Sequence, residues 1–150
     1  MADYDIVVHG PARVGISAAD GTWADSSGPS VRIRGVDLRD VAHRASAVRA
    51  AQPAVDVLVD IDVLVDENAA AARERLRASG ITPPRDTLVY IGTPAGLAGL
   101  VADIHALGIA DGAVLRPLLR DAAEELRRHL PIALATMGAP APVSSEVRPA

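Results

Sequence analysis

The segment Thr87-Leu-Val-Tyr-Ile-Gly-Thr-Pro-Ala-Gly-Leu-Ala-Gly-Leu-Val-Ala-Asp-Ile-His-Ala-Leu-Gly-Ile-Ala-Asp-Gly-Ala-Val-Leu-Arg-Pro117 decides the class of the fold, because it reads as one strand, helix, strand unit. Thr87 to Ile91 is a short β-rich apolar run, and Gly92 breaks it. Thr93 places a side-chain oxygen at a helix N-cap, with Pro94 at the first helical position, where a missing N–H costs nothing. Leu97, Leu100, Val101, Ile104 and Leu107 recur at helical spacing and form one apolar stripe, and Gly108 stands where a left-handed C-cap is wanted. Ala113 to Leu115 is a second apolar strand. A right-handed crossover of this kind pairs its two strands in parallel, so the flanking segments must supply the rest of a layered α/β sheet or barrel.

Upstream lies the strongest strand of the chain, Val55-Asp-Val-Leu-Val-Asp-Ile-Asp-Val-Leu-Val65. Its odd-numbered residues are all β-branched and share one face, while Asp56, Leu58, Asp60, Asp62 and Leu64 mix acidic and apolar character on the other. A strand this long and this β-branched is central, or bent into two parts. Asp66 is expected to cap a helix from about Glu67 to Ala78, ended by Ser79-Gly80, and Pro83-Pro84 stiffens the lead into the first unit. Before it, Val31-Arg-Ile-Arg-Gly35 alternates apolar and basic residues as a half-wet strand does. Asp37 then caps a helix whose stripe is Leu38, Val41, Ala42, Ala45 and Val48, closing near Ala51 ahead of Pro53. Ile6 to His9 and Arg13 to Ile16 are two further short apolar runs, and 17–30 reads as a Gly- and Ser-rich loop with Trp23 its one large aromatic residue. After Pro117 a last helix carries Leu118, Leu119, Ala122, Leu126 and Leu130. The expected organisation is a single α/β domain over 1–137, followed by a disordered tail over 138–150 that is rich in Ala and Pro.

The composition narrows the function. At 150 residues the chain can bury one core. Aromatic residues make up 2%, with no Phe, one Trp and two Tyr, so almost no aromatic surface exists on which to stack a base or a flavin ring. A formal net charge of -4 argues against a nucleic-acid partner, which requires a clustered cationic face. The absence of Cys removes disulfides, thiol nucleophiles and Cys-based metal sites. The acidic start Met1-Ala-Asp-Tyr-Asp5 is unlike a signal peptide and no apolar run is long enough for a membrane span, so the cytoplasm is the expected location.

The order and spacing of Val55 to Leu76, Asp86 to Pro94 and Gly108 to Pro117 resemble the C-terminal part of luciferase-like monooxygenases. The likeness runs from about Val31 to Leu130, and its most specific pieces are the Gly92-Thr93-Pro94 helix start and the Gly108-Ile-Ala-Asp-Gly112 strand start. Those proteins are flavin- or deazaflavin-dependent oxidoreductases built on an eight-stranded TIM-type barrel. The resemblance implies parallel βαβ units forming a partial, half TIM-type barrel that binds FMN or a deazaflavin at the C-terminal ends of its strands. It implies too that Ser17, Gly21 and Thr22 stand where the family holds the flavin phosphate, although Asp20 among them opposes an anion. A full barrel needs roughly 250 residues, so either a homodimer or a partner chain is expected to cover two open edges and an exposed apolar face. The alternative is a non-catalytic remnant of the fold, acting as a structural or cofactor-binding subunit.

Other residues carry two readings each. His9 closes a strand and is the candidate general base or ligand, since strand ends are where such folds place chemistry. His43, His105 and His129 fall on helices as surface or boundary residues. Gly92 and Thr93 open a helix whose N–H groups suit a phosphate, or form an ordinary strand-to-helix turn. Arg116, with Arg32 and Arg34, makes an anion site at strand ends, or is ion-paired. Asp60, Asp62 and Asp66 could hold a divalent cation, but no calcium-loop pattern is present and a polar strand face is the simpler account; no metal site is assigned.

Overall fold

The computed structural model of the chain describes residues 12–17 and 28–136. His9, Asp20, Gly21, Thr22, Trp23 and the tail over 138–150 lie outside the described residues. Among the described residues five strands, all parallel, form one sheet: β1 (Arg13–Ile16), β2 (Ser30–Ile33), β3 (Asp56–Val65), β4 (Leu88–Gly92) and β5 (Gly112–Pro117). The helices are α1 (Leu38–Ala51), α2 (Ala69–Ser79), α3 (Pro94–Ala106) and α4 (Ala123–Thr136), the last preceded by a 3₁₀ turn, Arg120–Ala122. This is the α/β class expected, with parallel βαβ units consistent with part of a TIM-type barrel.

Everything is threaded on β3. Its ten residues are buried except for Asp56, which is half-buried, as suits a strand that is apolar and β-branched almost throughout. One edge pairs with β5, from Leu58 opposite Gly112 to Val63 opposite Pro117. The other edge is shared by two strands laid end to end. β2 takes Asp56 to Val59 and β4 takes Ile61 to Val65, so Asp60 faces the gap between them. β1 lies beyond β5, and the spatial order is β1-β5-β3-β2, with β4 continuing the line of β2.

This corrects one expectation. The β4-α3-β5 unit is parallel, but its two strands do not pair with each other; both pair with β3, on opposite edges. Sequence neighbours within a crossover are adjacent only when no longer strand competes for the place between them, and β3 is longer and more β-branched than either.

The helix boundaries follow local chemistry. Asp37 caps α1 through Asp40 N–H at 2.8 Å. Thr93 caps α3 through Gly96 N–H at 3.1 Å, with Pro94 at its first position. Gly108 takes the left-handed backbone that the end of α3 needs, with φ +71°. Asp66 is not the cap of α2. That helix starts at Ala69, capped by Asn68, whose side chain accepts from Ala71 N–H at 2.7 Å. Leu107 drops out of the buried stripe, 73% exposed, because it is the C-cap residue where α3 unwinds. Leu118 and Leu119 precede the last helix rather than belonging to it.

The apolar core lies on one face of the sheet. Val59, Ile61, Val63 and Val65 of β3 join Val14, Ile16, Ala113 and Leu115 from its neighbours. Val41 of α1, Leu97, Val101 and Ile104 of α3, and Leu126, Leu130 and Leu134 of α4 complete it. The opposite face differs from the exposed apolar surface expected of a half-barrel. Its apolar members Leu58, Leu64 and Val114 are buried, and beside them stand Arg13, Arg32, Asp60, Asp62 and Arg116. The aspartates of β3 require cationic neighbours, and β2, β5 and β1 supply them.

Gly112 makes one of those contacts possible. A Cβ there would sit 1.8 Å from the carbonyl oxygen of Arg13, so only glycine lets β1 and β5 approach as they do. The bare position also leaves room for the Arg13 side chain to cross β5 and reach Asp56, Nη1 to Oδ2 at 3.0 Å.

Gly112→Ala is therefore expected to lower stability by about 3 kcal/mol, read as a lower urea midpoint. Gly80→Ala, strained by φ +75° with nothing near its Cβ, should cost only about 1 kcal/mol. A second prediction concerns acid. The Val36 N–H bond to Asp40, aided by Arg44, outweighs partial desolvation and holds that carboxyl below its usual 3.8. A depressed carboxyl contributes stability that is present above its unfolded value and lost as pH falls through its folded one. Asp40→Asn should therefore flatten the acid limb of a stability-versus-pH curve below pH ~4 and leave its neutral region unchanged in slope.

Candidate functional site

The polar face is ordered in rows set by the strand register. Arg32, Leu58, Gly112 and Arg13 stand across one row; Asp60 and Val114 share the next; Asp62 and Arg116 share the third. Asp60 and Asp62 are each 3% exposed. A carboxylate so far from water persists only with strong partners. Asp60 Oδ1 accepts from Arg32 Nε at 2.8 Å and Oδ2 from Arg34 Nη2 at 3.3 Å. Arg116 bridges the two aspartates, with Nη1 3.5 Å from Asp60 Oδ2 and Nε 3.3 Å from Asp62 Oδ1. Thr87 donates its hydroxyl to Asp62 Oδ2. Arg34 reaches outward as well, with Nη1 3.7 Å from Asp86, which is largely exposed.

The arginines expected to converge do so, in the ion-paired form of the two readings. Asp60 and Asp62 each face guanidinium groups, and Asp66 lies 3.6 Å from Arg75. Among the described residues no group of three or more His, Asp or Glu side chains is placed to hold a metal ion.

Gly92 and Thr93 lie at the far side of β3 from Arg116, and the structure shows what their turn holds. The Thr93 N–H donates to the Tyr90 hydroxyl at 3.2 Å. A Cβ on Gly92 would lie 2.5 Å from that oxygen, and one on Gly96 only 1.9 Å from it. Two glycines and a helix start thus cradle a phenol of the chain itself. Nothing local marks this arrangement, because Tyr90 reads as an ordinary strand residue.

Ser17 follows the last residue of β1 and is tied to β5 by its N–H, which donates to the Leu115 carbonyl at 2.9 Å. It is thereby brought beside the C-terminal end of the strand that carries Arg116. The residue is 3% exposed, and among the described residues its hydroxyl has no hydrogen-bond partner. It lines a cavity of about 130 Å³ together with Pro117, Arg120, Ala123 and Arg127. Arg120 and Arg127 lie outside the apolar stripe of the last segment; their spacing of seven is the one signal in the sequence that pairs them, although Arg120 sits in the 3₁₀ turn before α4.

The wall of this cavity is fixed from outside. Arg75 of α2 holds Glu125 at 3.1 Å and both Asp121 and Asp66 at 3.6 Å. Burial works against the Arg75 charge, but these three carboxylates outweigh it and raise its pKa further. His43, His105 and His129 are on helices, exposed or half-buried, as expected. Among the described residues no helix is long and apolar enough to cross a membrane.

The chain is similar in fold to a riboflavin lyase solved with modified FMN and its substrate riboflavin, with a TM-score of 0.61 and 13% identity over 96% of this chain and 51% of that one. It is similar to the EDTA monooxygenase of Chelativorans sp. BNC1, with a TM-score of 0.56 and 17% identity over 75% and 40% of the two chains. A long-chain alkane monooxygenase gives 0.58 and 13% over 73% and 37%. The chain thus spans between 37% and 51% of the length of these enzymes. No protein-family model matches the sequence, and no curated protein matches it. The sequence resemblance and the fold likeness agree at the level of the scaffold.

Asp60→Asn leaves Arg32, Arg34 and Arg116 without their shared anion. The aspartate is buried but the arginines keep access to water, at 28%, 47% and 26% exposure, so the expected loss is about 2 kcal/mol, below that of a fully buried pair. Asp86→Asn, at a carboxylate 68% exposed, should cost less than about 0.5 kcal/mol. Urea unfolding of both variants measures the difference.

Proposed function

We propose that this chain is a partial barrel of the luciferase-like monooxygenase type, which binds a flavin, FMN or a deazaflavin, at the C-terminal ends of its strands. The observation that carries the reading is the pairing of β1 with β5, which sets Ser17 beside the end of the strand that bears Arg116, two residues about a hundred apart in the chain. Both are candidate cofactor contacts on sequence grounds. The fold likeness to a riboflavin lyase solved with modified FMN supports the same choice of ligand.

The flavin would supply the redox chemistry. The chain's part is to bind, orient and shield it. Ser17, with Gly21 and Thr22 beyond it, would hold the phosphate end. Arg116, kept in place by Asp60 and Asp62, would present its guanidinium edge toward the strand ends. His9 would move a proton near the reacting atoms. Gly92 and Thr93, with Tyr90 in their turn, would line the opposite side. A second copy, or a partner chain, would supply the remaining strands, since five are described here and a barrel of this type closes with eight.

A second reading has its own observation. Arg32, Arg34 and Arg116 are already paired with carboxylates of the chain, which favours a scaffold subunit that keeps the fold without the chemistry.

Titration of flavin absorbance and fluorescence with the purified chain separates the two. Saturable 1:1 binding of FMN or a deazaflavin, followed by reduction-dependent oxygen consumption, is the expected outcome. No spectral change at millimolar flavin would overturn the cofactor reading. For the assembly, sedimentation should give a dimer, and a folded monomer at micromolar concentration would remove the shared barrel.

A further inference from the structure

We infer that the outer edge of β4 is the surface by which two copies of this chain join, strand against strand and antiparallel across a twofold axis at Tyr90. This rests on the two-copy form of the reading above and adds where, and in which direction, the copies meet; the flavin has no part in it.

The ground is the state of the three outer edges. The Gly92 carbonyl accepts from Asp66 N–H at 2.9 Å, so Leu88, Tyr90 and Gly92 turn their backbone groups toward β3, and Val89 and Ile91 turn theirs away. No described strand pairs with that side, and Val89 is 37% exposed. Strand edges left open are ordinarily guarded by charge, proline or a bulge. β4, Leu-Val-Tyr-Ile-Gly, has neither a charged residue nor a proline, and its register against β3 runs without a bulge.

The other two edges differ. On β1 the outward residues are Val14 and Ile16, since the N–H groups of Arg13 and Ser17 bond to β5 and its approach, and both are fully buried. On β2 the outward residues are Ser30 and Arg32, since the Pro29 carbonyl accepts from Asp56 N–H, so a charged residue stands on that edge. Among the described residues, β4 alone is both open and unguarded.

A second copy fits this edge because the edge is its own complement. A twofold axis through the sheet makes the added strand antiparallel and gives both copies the same contacts. With Tyr90 on the axis, Val89 stands opposite the partner's Ile91, and Ile91 opposite the partner's Val89. These are the residues whose backbone groups face outward, so both become hydrogen-bonded pairs, with Tyr90 and its copy the closer pair between them. An axis at Val89 or Ile91 would instead match the other residue to one beyond the strand. The strand is uncharged, so no like charges are apposed. Asp86, 68% exposed and 3.7 Å from Arg34, precedes the strand and is carried toward the start of the partner's α3. That helix has no acid in its first turn, and its dipole favours one there.

Sedimentation of the full chain, together with amide exchange at residue resolution, tests the edge. A dimer is expected at micromolar concentration, with the Val89 and Ile91 amides protected in it and exchanging freely on dilution to monomer. Val89→Pro removes an outward N–H and no bond to β3, so the fold should persist by circular dichroism while the dimer dissociation constant rises about a hundredfold. Tyr90→Cys, in a chain with no cysteine of its own, should give a disulfide-linked dimer on mild oxidation, because Cα atoms of such a pair lie about 4.5 Å apart, within disulfide range. Ser30→Cys, on the β2 edge, should not. A dimer that Val89→Pro leaves intact and Tyr90→Cys does not link overturns this proposal but not the two-copy reading. A monomer with both amides unprotected overturns both. A monomer with both amides protected puts a segment of the same chain on the edge and overturns the proposal as well.

Discussion

Two carboxylates in the interior of the central strand constrain most of what surrounds them. Asp60 and Asp62 are too buried to be served by water, so partners have to come from the adjoining strands at fixed positions. Arg32 meets that demand from β2 and Arg116 from β5, and the register of both strands places them opposite the aspartates. A slip of one residue on β3 would turn the acids into the apolar core and the valines onto the charged face, losing both sets of contacts at once. The ion pairs thus contribute less as net stabilisation than as a penalty on every other alignment.

What could be read from the sequence was local. Thr93, Pro94 and Gly108 announce the two ends of α3 by their own conformational preferences, and the structure uses all three as expected. The mixed face of β3 is visible in the alternation from Asp56 to Leu64. Tertiary choices were not visible. The unit from β4 to β5 suggests adjacent strands, and only the greater length of β3 shows why it lies between them. Asp66 and Asn68 are both good helix caps, and local sequence does not rank them. Tyr90 filling the turn between Gly92 and Gly96 depends on a side-chain direction that no periodicity encodes. The cavity at the strand ends joins Ser17 to Arg120 and Arg127, about a hundred positions away, and no motif spans that distance.

The charged face also qualifies the likeness to a barrel. Closed barrels of the TIM type fill their interior with layers of branched apolar side chains. Here the corresponding rows carry arginine and aspartate, and Gly112 keeps a lane open for Arg13 to reach Asp56. Any set of strands completing this sheet would have to meet charge with charge or leave the lane hydrated. The backbone therefore follows part of the fold of those larger chains, while the side chains on this face form a self-neutralising network.

The end-to-end arrangement of β2 and β4 along one edge of β3 has a mechanical meaning. No backbone rung crosses the joint at Asp60, so the edge is a seam at which tension on one segment is not handed to the other. Either short strand can peel away while its neighbour stays seated, with Arg32 pinning only β2 to β3 at Asp60. Amide exchange in β2 and β4 would accordingly run on independent clocks, although the two share a single supporting strand.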